Sequence, residues 1–167
     1  MAILAISTFS TTAQADTNEH LPIKNEQGQV VGAIIEPLKT EANVAPSVMI
    51  KLNDGTQRAL LASSLQRVGD AYILHPVSTP KSETDEAMNA AFEVRSMTMV
   101  LIMQSHEDTK LLSDISNLAY DVKDNKLYLV GDLPNTYGLE RLLDVTSELC
   151  EFEIVPNITI KPAEARS

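Results

Sequence analysis

Hydrophobic periodicity changes once along this chain, and that change limits the possible folds more than any single motif. Up to Pro76 the apolar residues come in short runs punctuated by Gly and Asp turns. Val30 to Ile35 follows the turn Asn25-Glu26-Gln27-Gly28. Val48, Ile50 and Leu52 then alternate with Met49 and Lys51, the period of two expected of a strand. Asn53-Asp54-Gly55 is a tight turn, because Asp-Gly tolerates the positive φ that hairpins need. Further strands are expected over 57–61 and 71–74, either side of the turn Arg67-Val68-Gly69-Asp70. Short strands with frequent turns predict a small barrel or sandwich.

Val77 to Glu86 is polar, contains Pro80 and has no apolar period, so it reads as a linker, with a short helix expected from Asp85 to Ala91. Beyond it the periods mix. Met97 to Met103 is an apolar run interrupted only by Thr98; its length favours a buried strand, with a helical segment as the alternative. Leu111, Leu112, Ile115, Leu118 and Ala119 form one helical face, with Glu107 and Asp108 complementing the dipole at its start. A hairpin is expected around Lys123-Asp124-Asn125-Lys126, with Gly131 to Asn135 breaking its second strand. Leu139, Leu142, Leu143, Leu149 and Cys150 mark a second helix, and Ile154, Ile158 and Ile160 a last strand. Pro156 cannot donate to a ladder, so that strand is expected to have an exposed edge there. Helix, strand, strand, helix, strand is the order of a small α+β sandwich, with two helices packed on one sheet face.

Charge narrows the partners. The 167 residues carry 13 basic and 23 acidic side chains, a net of −10. Residues 17–77 hold a net of −1 and residues 78–167 a net of −8, with Asp16 supplying the remainder. An acidic surface without a Lys/Arg cluster repels phosphate backbones, which argues against nucleic acid as a partner. No apolar run reaches the roughly 18 residues of a membrane-spanning helix. The single cysteine, Cys150, cannot close an intramolecular disulfide and sits at helical spacing among apolar residues, as a small buried hydrophobe would.

The first residues read as an export signal. Met1 to Phe9 is mostly apolar, and Ala13-Gln14-Ala15 has the small-x-small pattern of a cleavage site. The basic start of a complete signal is missing, which fits a signal peptide over 1–15 truncated at its beginning. Export implies a periplasmic location.

Two resemblances follow from these residues. Asn25 to Gly32 and Ala62 to Leu74 resemble the opening turn and the closing strands of a PRC-barrel domain. Val122 to Pro134, with Gly131 at the glycine after the second hairpin strand, resembles a BON domain, as does Val155 to Ile160. Cys150 to Glu153 departs from the Gly-Val that this second family often has before its last strand. The resemblances imply a small N-terminal β-barrel over 17–77, a linker over 78–90, an α+β domain over 91–161 and a tail over 162–167. PRC-barrels serve as interaction modules. BON domains are associated with envelope stress tolerance and, in some members, with phospholipid contact.

Chemistry is sparse. His20, His75 and His106 are far apart and lack metal-ligand spacing, although His106-Glu107-Asp108 is a conceivable ligand run. Ser63-Ser64 lacks a nucleophile elbow, and Gly28 and Gly32 are turn glycines with no phosphate-loop context. Met97, Met99 and Met103 could form a soft contact surface or hold copper(I), but they interleave with core-type residues. No catalytic residue, metal or cofactor is expected. Asp54, Gly55 and Gly131 join Gly28 and Gly32 as turn residues. The candidate contact surface is the loop 131–137, with Leu133, Asn135 and Tyr137 as its residues and Leu133 and Tyr137 exposed. The expectation is a non-catalytic adaptor for an envelope protein or lipid assembly. A small-ligand or metal-binding protein, with its pocket between the two halves, is the alternative.

Overall fold

The structure is a computed structural model that describes residues 21–38, 43–105 and 109–162. The expected signal peptide, His20 and the His106-Glu107-Asp108 run lie outside the described residues. Among the described residues the first half carries β1 (Pro22–Lys24), β2 (Val30–Pro37), β3 (Ser47–Leu52), β4 (Gln57–Leu61), β5 (Leu65–Val68) and β6 (Ala71–Leu74). The second carries α1 (Asp85–Gln104), α2 (Thr109–Ser116), β7 (Ala119–Lys123), β8 (Lys126–Leu133), α3 (Thr136–Leu149) and β9 (Glu153–Ile160). The fold is α+β.

The turns close where their residue types allow. Asn25 Oδ1 accepts hydrogen bonds from the amides of Gln27 and Gln29, while Gly28 takes φ +81°. Asp54 accepts from the Thr56 amide, and Gly55 sits at φ +86°. The β7–β8 hairpin turns on Asp124 and Asn125 at φ 51° and 59°, residue types that tolerate the left-handed region.

All the strands lie in one open sheet of order β5-β6-β1-β2-β3-β4-β9-β8-β7. Side chains from β1 to β6, among them Ile23, Ile34, Ile50, Leu60, Leu65 and Leu74, converge on one core, so this part of the sheet curls around it. Among the described residues no strand pairing closes β4 onto β5, and the sheet is open. Instead β4 pairs with β9, through Gln57↔Ile160, Arg58↔Thr159 and Ala59↔Ile158. The sheet therefore runs unbroken from the first half into the second.

The reason lies in the alternation of β3 and β4. Ile50 and Leu60 point into the first core, while their neighbours Met49 and Ala59 point to the opposite face and join the core under the helices. All four side chains are essentially inaccessible. A strand buried on both faces needs apolar residues at successive positions. Met49-Ile50 and Ala59-Leu60 meet that requirement.

Four further expectations are corrected. Met97 to Met103 is helical, within the 20-residue α1. A short apolar run does not distinguish a strand from a helix. The capping does: Thr84 Oγ1 accepts from the Ala87 amide, and Asp85 and Glu86 occupy the first turn. Two packed helices thus become three. The helix expected from Asp85 to Ala91 starts at Asp85 and runs on to Gln104, and ahead of it Ser82 is bonded to the outer edge of β7 through the Asp121 carboxylate and the Val122 amide. Gly131 does not end β8, which continues to Leu133 beside β9. Its φ of +149° passes close under Leu118, where a Cβ would stand 2.6 Å from a Leu118 methyl.

Pro156, finally, is buried in an interior strand. The Ile154 amide bonds the Asn43 carbonyl, on the side away from β8. The Pro156 nitrogen, two residues on, faces the same way, into the gap before β4 begins to pair at Ile158. Its missing donor therefore removes no bond from the β8 ladder.

Candidate functional site

The residues expected to form a contact loop do not form one. Leu133 is completely buried in the core beneath the helices. Its expected exposure is corrected: β8 carries it inward, at the same face as Leu127 and Leu129. Asn135 is the N-cap of α3, its side-chain oxygen accepting from the Gly138 amide at 2.9 Å. Asn135 and Tyr137 are both exposed, and only Tyr137 has its side chain free of a capping role. Gly28, Gly32, Asp54, Gly55 and Gly131 lie in turns and close strand approaches apart from one another.

The other candidates are equally scattered. His75 Nε2 lies 3.0 Å from Gln66 Oε1, with Glu26 3.8 Å from its other nitrogen. Ser63 and Ser64 form a single 3-10 turn. Cys150 is half-buried at the end of α3, and burial pushes its thiol above the ordinary range. Among the described residues no group of three His, Cys, Asp or Glu side chains converges as a metal site.

The surface that does stand out is α1. Its inner face, Ala91, Val94, Thr98 and Ile102, recurs at helical spacing and is buried against β7, α2 and α3. Thr98 tolerates burial because its hydroxyl donates to the Val94 carbonyl at 2.8 Å. The outer face is apolar too. Met88, Phe92, Met97, Val100 and Met103 are exposed, Phe92 by 68%. A helix apolar around most of its circumference is normally enclosed by other protein. On α1 only one side is enclosed.

The N-terminal half of that face borders a groove of about 490 Å³ between α1 and β7, walled by Met88, Ala91, Phe92, Leu118 and Tyr120. At its base the Arg95 guanidinium donates through Nη2 to the Ser116 carbonyl. Arg95 Nε and the Tyr120 hydroxyl are buried there without a hydrogen-bond partner among the described residues. Burial pushes the Tyr120 phenol far above its usual range, against the opposing pull of the Arg95 charge. It stays neutral at physiological pH.

The sheet edge beside the groove is partly covered. β7 is the last strand, but its Val122 amide donates to Ser82 Oγ, and Lys123 pairs with Glu83 at 2.8 Å. Covering an edge in this way blunts strand addition. The groove therefore offers apolar side chains more than backbone. Periodicity missed this surface because Met97 to Met103 was read as a strand. Continuing the helical register from Thr84 would have put Met88, Phe92, Met99 and Met103 on one stripe.

Compared with known proteins, the chain matches no family model, no curated protein and no solved structure. No helix among the described residues is long and apolar enough to cross a membrane.

Proposed function

We propose that this chain is an exported, non-catalytic interaction protein of the bacterial envelope, which docks its partner through the exposed face of α1. One observation carries the reading: five large apolar side chains are exposed on this single helix, next to an apolar groove. Exposed apolar surface gathered in one place marks a contact site, whereas scattered residues do not. Six strands curled around one core support a PRC-barrel-like first half. The order α2-β7-β8-α3-β9, with β8 antiparallel to β7 and parallel to β9, supports a BON-like second half. The small-residue pattern at Ala13 to Ala15 supports export to the periplasm.

A pull-down from envelope extracts tests the docking role. Wild-type protein recovers a reproducible partner and Phe92→Glu does not. Equal recovery by both would remove α1 from the account.

The second reading, a small-ligand site, is favoured by the unpaired Arg95 Nε and Tyr120 hydroxyl at the base of the groove. A ligand at 100-fold its dissociation constant adds about 2.7 kcal/mol of stability. A melting panel of carboxylates and metals showing no shift would eliminate it.

A further inference from the structure

We infer that the partner on the α1 face is a second copy of this chain, docked with the two α1 helices antiparallel about a two-fold axis beside Ser96. This rests on the reading of α1 as a docking surface and names its occupant.

The stripe is symmetric about its own midpoint. The exposed Met88, Phe92 and Met103 and the half-buried Met99 fall within about 60° of the helix circumference at 3.6 residues per turn, with Met97 and Val100 outside that arc. Reversing the helix about a point between Arg95 and Ser96 exchanges Met88 with Met103 and Phe92 with Met99. A two-fold interface requires this property, since each patch must fit its own copy. Arg95 and Ser96 flank the midpoint of the stripe, each about 50° from its centre line, and the Ser96 side is the small one. Ser96 has its hydroxyl already bonded to the Phe92 carbonyl at 2.8 Å, so it lets two helices approach without leaving a polar group unpaired.

Shape agrees with the symmetry. The groove flanks the Met88–Arg95 half of the stripe and not the Met99–Met103 half. Met103, 57% exposed, projects from the half without a groove. An antiparallel pair sets each projecting half over the partner's groove and brings Phe92 to the partner's Met99, a favourable sulfur–aromatic contact. Residues 78–167 carry a net of −8, which opposes an anionic membrane surface and a second copy alike, so the selection rests on symmetry and shape. The stripe from Met88 to Met103 contains no acidic side chain. The stripe is about 24 Å long at 1.5 Å per residue.

Sedimentation velocity on the purified protein over a concentration series tests this. The expected result is a mass rising toward twice that of the monomer, and Phe92→Glu holding the protein at monomer mass, with the melting temperature of wild type at concentrations where wild type is monomeric. Register is read separately, in a Cys150→Ser background. Ser96→Cys is expected to form a disulfide-linked dimer on mild oxidation, and Glu93→Cys, one turn away and off the stripe, is not. A dimer insensitive to Phe92→Glu, or equal cross-linking at both positions, overturns the inference. So does a monomer at every concentration. If that monomer still captures another protein, or floats with phosphatidylglycerol vesicles, in a Phe92-dependent way, the docking face stands and only its occupant is wrong. If it captures nothing, both readings fall.

Discussion

Arg58 on β4 donates two hydrogen bonds to the side-chain oxygen of Asn157 on β9, at 2.8 Å from Nη2 and 3.1 Å from Nε. The two residues are 99 positions apart in sequence and sit where the first half of the sheet meets the second. Asn157 is 7% exposed, so its carbonyl depends on that guanidinium for a donor. With Met49 and Ala59 reaching into the core under the helices, this pair makes the junction a structural element and not a tether.

Arg58→Ala should therefore destabilise the whole chain by about 1–3 kcal/mol, the cost of a buried acceptor left unpaired. Urea denaturation of Arg58→Ala, Asn157→Ala and the double variant measures the coupling. Effects that add within about 0.5 kcal/mol would show that the two residues act independently.

Gly32 on β2 tests how tightly the curled part of the sheet is built. A Cβ there would lie 2.3 Å from the Lys51 carbonyl oxygen, and a backbone atom cannot swing aside. Gly32→Ala is expected to cost about 1–3 kcal/mol through forced separation of β2 and β3. Gly28, with open space around it, should accept Asn at little cost, since Asn tolerates its positive φ. Melting temperatures of the two variants in the opposite order would refute this account.

The two faces of α1 should answer differently to truncation. Ile102 is 1% exposed, and Ile102→Ala should lose about 2–5 kcal/mol. Phe92→Ala at low protein concentration should stay within about 0.5 kcal/mol of wild type, because it empties no core site. Equal losses in chemical denaturation would mean that Phe92 is enclosed within the monomer.

Asn135 and Tyr137 separate capping from contact. Asn135→Ala should cost about 1 kcal/mol by freeing the Gly138 amide at the start of α3. Tyr137→Ala should leave the unfolding midpoint unmoved. A Tyr137 effect as large as that of Asn135 would contradict its exposed position.

Cys150 gives a pH-dependent reading. Its folded thiol titrates above the ordinary value because burial disfavours the thiolate. Alkylation by iodoacetamide near neutral pH should accordingly be slower in the folded protein than in urea. The sign for stability follows from the raised value. The contribution is full below the unfolded thiol pKa and is lost as pH rises through the folded one, in the alkaline range. Cys150→Ser should flatten that alkaline decline, and an unchanged slope would assign it to other groups.

Much of the local structure was legible. β4 and β6 occupy the spans expected beside the turns at Gly55 and Gly69, and the turns at Gly28, Gly55 and Asp124-Asn125 fall where their residues allow positive φ. The candidate site was not legible. Leu133 looked exposed because Pro134 and Asn135 follow it, yet β8 carries it into the core. The α1 face stayed hidden because the run from Met97 to Met103, apolar except for Thr98, fits a buried strand as well as a helix with two apolar sides.

The sequence by itself determined the turns, the caps and the side chains that share a face, since each depends on residues a few positions apart. Tertiary structure alone decided that β4 would lie beside β9, that Met49 and Ile50 would serve different cores, and that half of α1 would stay uncovered. Alternation says which way a side chain points but not what it meets. That depends on strands about a hundred residues away, whose pairing is settled only when both faces of the sheet are buried together.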